Sequence, residues 1–156
     1  MSTLQRMIGM VLRPLAERQA RGRSGEAFAA DLERSGRNVT ARFRGAKDTP
    51  GNREAVNHIT GIERWGQRRL RTALGEPPVM DSYRGYRLPE GTDMAALAQA
   101  FADTRQETVR LALELGRADP GLSRRVRHND LGDLSVGGWL AYLEAHARRE
   151  SLRVRG

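Results

Sequence analysis

The chain has 156 residues, 38% of them hydrophobic and 29% charged, with 27 Lys and Arg against 19 Asp and Glu for a formal net charge of +8. That length suits one domain able to bury its own core without cross-links. Cysteine is absent, which excludes disulfides, thiolate metal sites and cysteine nucleophiles, and makes a cytoplasmic location the simplest expectation.

The positive charge does not point to nucleic acid. Lys47 is the only lysine, and the arginines are scattered among Asp and Glu along every segment, as on a solvated charged surface. Aromatic residues are 5% of the chain, too few for a stacking platform, and no nucleic-acid-binding module is recognisable. No run approaches the ~20 apolar residues of a membrane span, so no membrane partner is expected. The amphipathic start is broken by Arg13 and Pro14 and is followed by no small-residue cleavage pattern, which argues against a secretory signal.

Leu4, Met7, Ile8, Val11, Leu12 and Leu15 recur at helical spacing and predict a helix over 3–20 that Pro14 bends. Its apolar stripe must be covered by the main domain or by a second copy of the chain. Phe28, Leu32, Val39 and Phe43 mark a second helix, with Ser24 as its cap and Gly45 near its end; Gly36 weakens its middle. A third helix is predicted from about 52 to 74, after a turn at Asp48–Gly51, and His58 falls at the edge of its apolar arc.

Residues 75–91 form an irregular connection rich in Pro and Gly, long enough to run along the outside of a bundle; Tyr83 and Tyr86 within it are candidates for a pocket mouth. Met94, Leu97, Ala98, Phe101, Thr108, Leu111 and Leu115 give the clearest amphipathic helix, capped by Thr92 or Asp93. The segment GLSRRVRHNDLGDLS reads as a polar connection that places His128 in a loop, with capping and turn roles for Asp130 and Asp133. Ser135 caps a last helix whose stripe runs Val136, Trp139, Leu140, Leu143, His146 and reaches Glu150.

The expected fold class is all-α: a four-helix bundle with a long crossover connection, residues 24–156, preceded by an N-terminal amphipathic extension, residues 1–23. His146 and Glu150 are four apart, one helical turn, and can grip the same ion; bundles place such sites between facing helices, so His58 is the candidate for a further ligand. The motifs of serine hydrolases, P-loop hydrolases and dinucleotide-binding proteins are missing.

The stretch NHITGIERW around His58, and HNDLGDLSVGGWLAYLEAHARRE at 128–150, resemble the DinB/YfiT-like superfamily over roughly residues 24–152. The resemblance implies a DinB-like bundle in which a histidine of the second bundle helix and an HxxxH pair of the last helix bind a divalent metal. His58 stands at the first place, His146 at the second, and Glu150 replaces the second histidine of the pair. A site of two imidazoles and one carboxylate admits Zn, Ni, Fe or Mn, and leaves a position open for water or substrate.

By resemblance, the chain is expected to be a metal-dependent transferase or hydrolase acting on a small molecule, with a low-molecular-weight thiol as the suggested substrate class, and to form a homodimer; a stress-response role is also implied. The rival is a metal-free bundle of the same fold, used for binding or regulation, since Glu150 departs from the pattern.

Overall fold

The computed structural model describes residues 2–156; Met1, where the N-terminal extension begins, lies outside the described residues. The elements run α1 (Thr3–Ala20), α2 (Gly25–Arg44), α3 (Pro50–Thr72), α4 (Met94–Arg117), β1 (Arg125–His128), β2 (Gly132–Ser135) and α5 (Val136–Ser151), with short 3-10 turns at Tyr83–Tyr86 and Gly121–Ser123. This predominance of helix agrees with the all-α expectation.

The helix starts follow from side-chain caps that satisfy otherwise orphaned N–H groups. Ser24 accepts from the Ala27 amide, Asp93 from Ala96 and Ser135 from Gly138. The third helix begins two residues before the expected position. Thr49 Oγ1 accepts from the Asn52 amide, and Pro50 occupies the first turn, where its missing N–H is no loss.

The connection before α5 is not only a polar loop, as expected from its composition. β1 and β2 pair antiparallel, from Arg125 opposite Ser135 to His128 opposite Gly132. Val126 and Leu134 turn into the core, and each strand is only four residues long, too short for its alternation to stand out. His128 locks the turn. Its Nδ1 accepts from the amides of Asp130 and Leu131, each at 3.1 Å.

Four helices close a ring of neighbours, α2 and α3 each packing on both α4 and α5, while α1 lies outside against α5 and β2. At one end α2 and α4 touch backbone to backbone, since a Cβ on Gly25 would come within 2.8 Å of Gly116 Cα. In the middle, Gly36 does not merely weaken α2: its bare Cα makes room for the Arg105 side chain. Arg105 reaches Glu63 through Nε at 2.5 Å and Nη2 at 2.8 Å, and Nη1 donates to the Leu32 carbonyl and Ser35 Oγ. Thr108 Oγ1 donates to Glu63 as well, so the buried charge pair is hydrogen-bonded on both sides.

The crossover 75–91 is ordered along α3. Its 3-10 turn sits against Gly61, where a Cβ would meet Arg87 Cγ at 2.8 Å and the Tyr83 carbonyl at 3.3 Å. Buried Arg69 ties it down, donating to Asp81, Asn129 and the Arg127 carbonyl.

Candidate functional site

His58 and His146 reach one another from α3 and α5. The two helices approach closely where Gly66 faces Leu143, a Cβ at Gly66 lying 2.7 Å from a Leu143 methyl. Eight residues earlier on α3 and three later on α5, the imidazoles of His58 and His146 stand 5.4 Å apart between ring centres, tilted by 51°. Two imidazoles sharing one ion through nitrogens at about 2.1 Å place their ring centres roughly 5 Å apart. The spacing of the ring centres is close to that value.

His146 is buried between Leu143 and Ala147, whereas His58 is half-buried and opens to solvent. Burial pushes His146 down to about 3, and the His58 ring adds to the effect. His58 is also lowered by burial, against the opposing pull of Glu150. Both rings are neutral near pH 7, the form that ligates metal. Among the described residues, hydrogen bonds to an imidazole are made only by His128, so the nitrogens of His58 and His146 have no protein partner.

Glu150 lines the same pocket as His58, a space of about 670 Å³ bordered also by Lys47, Asn52, Glu54 and Arg153. The chain end rims it. Asn52 Nδ2 donates to the carbonyls of Lys47 and Arg155, both at 2.8 Å, while the Arg155 amide donates to Asn52 Oδ1 at 3.1 Å. The Glu150 carboxylate, however, pairs with Arg153 at 3.1 Å and Arg149 at 3.5 Å. Among the described residues no three His, Cys, Asp or Glu side chains gather into a metal-binding group.

The chain matches no family model, no curated protein and no solved structure. The residues of the site must therefore speak for themselves. Among the described residues no helix is long and apolar enough to cross a membrane.

Around the histidine pair the rings continue. Tyr83 stands edge-on to His58 at 5.0 Å. Tyr142 lies 5.8 Å from His146 and 4.9 Å from His128. Burial raises the Tyr142 hydroxyl well above its usual range, so it remains a proton donor. Sequence reasoning overlooked Tyr142, although the spacing that linked His146 to Glu150 links Tyr142 to His146.

The other sequence candidates separate from the pair. Tyr86 does not line the pocket; its hydroxyl donates to Asp81 at 2.5 Å. His128 is enclosed by Trp65, Trp139 and Tyr142, and burial lowers it to about 4. Asp133 faces Arg127 across the hairpin at 3.5 Å.

Proposed function

We propose that the chain is a DinB-like bundle that binds a divalent metal ion through His58 and His146, with Glu150 as the third protein ligand, and uses it in small-molecule transfer or hydrolysis. The observation that carries this reading is the facing of two neutral, unpartnered imidazoles at 5.4 Å beside a pocket with a carboxylate. The nitrogens of neither ring are sealed from solvent or held by a protein group, so an ion can reach them and take them up. A bound Zn, Ni, Fe or Mn would supply Lewis acidity to a coordinated water or thiol.

The chain's own residues would do the remaining work. Glu150 can exchange its arginine partners for the ion by side-chain rotation, since it is the only one of the three ligands held by surface ion pairs. Tyr83 covers one edge of His58, and Lys47 and Arg153 give the pocket cationic walls. A low-molecular-weight thiol is the substrate class suggested by the family resemblance alone, with no stretch of the chain specifying it, and is the first to assay.

The second reading, a metal-free bundle used for binding, is favoured by the pairing of Glu150 with Arg149 and Arg153. Metal content separates the two. Untagged protein refolded with each metal and dialysed should retain about one ion per chain, and His58→Ala or His146→Ala should lose it. Wild-type protein that retains no metal would leave the second reading standing.

A further inference from the structure

Helix α1 meets the domain with Gly9, Leu12, Ala16 and Ala20 and shows its other large apolar residues to solvent. Ala16 is its one buried residue, and Gly9 lies so close to the hairpin turn that a Cβ there would sit 2.8 Å from the Asp130 carbonyl. Glu17 anchors the same side, accepting from the Ser135 amide and hydroxyl at 2.7 Å each. The opposite face is bare: Leu4 is 66% exposed, Met7 59%, Val11 67%, and Ile8 and Leu15 are exposed beside them, while exposed Met10 borders the groove lined by Arg6 and Arg13.

We infer that this face is an interface between two copies of the chain, formed by an antiparallel pair of α1 helices. Leu4, Ile8, Val11 and Leu15 alternate steps of four and three, the period of about 3.5 at which two helices interlock along a seam. A two-fold contact is self-complementary, so one such seam is sufficient for both sides. At about 200 Å² for a fully exposed residue of this size, Leu4, Met7, Ile8, Val11 and Leu15 present on the order of 500 Å² per copy. Two copies would thus cover roughly 1,000 Å², about the least that a specific interface buries.

Charge selects the orientation and the occupant. Arg18 continues the seam at its C-terminal end; a parallel pair would set the two Arg18 side chains together, while an antiparallel pair centred between Ile8 and Val11 puts them at opposite ends. Leu4 then faces Leu15 of the other copy. A lipid surface would need cations flanking the apolar arc, but Arg6 and Arg13 lie on the far side, lining a groove with Asp130, Leu131 and Gly132.

Sedimentation velocity over a concentration series tests the interface. Wild-type protein should be dimeric, Val11→Glu monomeric with unchanged circular dichroism and a dissociation constant weakened roughly 100-fold or more, and Leu152→Glu, at an exposed apolar residue elsewhere, still dimeric. Because the chain has no cysteine, Leu4→Cys and Leu15→Cys proteins report the orientation: mixed and oxidised they should cross-link to each other and not to themselves. A monomeric wild type, a Val11→Glu dimer of wild-type affinity, or self-cross-linking of each cysteine variant would overturn the inference. So would a monomer that sediments with anionic phosphatidylglycerol vesicles.

Discussion

His58 of α3 and His146 of α5 face one another at 5.4 Å between ring centres, the half-buried ring open to the pocket and the buried one behind it. The two sit on separate helices, and the narrow approach at Gly66 and Leu143 holds those helices close enough for their rings to meet. Nothing in the local chain near either residue could bring this about.

On the proposed site, Glu150 should decide how tightly an ion is held. Arg153→Ala removes its nearest ion pair and should strengthen metal binding several-fold, an effect that vanishes when Glu150→Ala is added. Glu150→Ala alone should weaken binding by about 10-fold or more, and Glu150→His should retain it with a preference moved toward zinc or nickel. Competition with a chromophoric chelator reads the wild type and all four variants. Equal affinities throughout would remove Glu150 from the site.

Acid should destabilise the metal-free protein in a defined window. The folded His128 is lowered to about 4 and His146 to about 3, below the ~6.5 of an unfolded histidine. The folded state therefore binds fewer protons than the unfolded state below pH ~6.5, so stability is full above that value and falls as the pH drops toward about 4. Urea unfolding in the presence of chelator measures the slope, and His128→Gln should remove part of it between pH 6 and 5. A slope unchanged by that substitution would place the proton uptake elsewhere.

The Arg105–Glu63 pair holds α4 to α3 and α2. Glu63→Ala or Arg105→Ala leaves one buried charge alone and should cost about 3–5 kcal/mol, whereas replacing both with leucine or methionine should cost much less. Thermal or urea unfolding of the three proteins gives the comparison. Single-variant losses below about 1 kcal/mol would show that water reaches the pair.

Glu17→Gln should loosen α1 without unfolding the ring of helices. It weakens two charge-assisted hydrogen bonds at the start of α5, each worth about 1.5–3 kcal/mol. Hydrogen exchange should quicken over residues 3–20 and stay slow in α3 and α4. Protection that is unchanged along α1 would mean that the packing of Gly9 and Ala16 suffices to hold it.

The sequence by itself determined the helices and the phase of each. Ser24, Asp93 and Ser135 cap where their positions predict, and the apolar period places His146 and Glu150 on one side of α5, because caps and periodicity act within a few residues. It did not determine which way an apolar face turns. The stripe of α1 was legible, yet all of it but Leu12 faces solvent, since Gly9, Ala16 and Glu17 make the closer fit to the hairpin and α5. Nor could it show that Arg105 and Glu63 meet in the core, that four-residue strands pair around His128, or that Glu150 turns to Arg149 and Arg153 while His58 and His146 face each other. Those outcomes depend on contacts between distant segments, and only tertiary packing sets the distances on which burial, ion pairing and metal geometry depend.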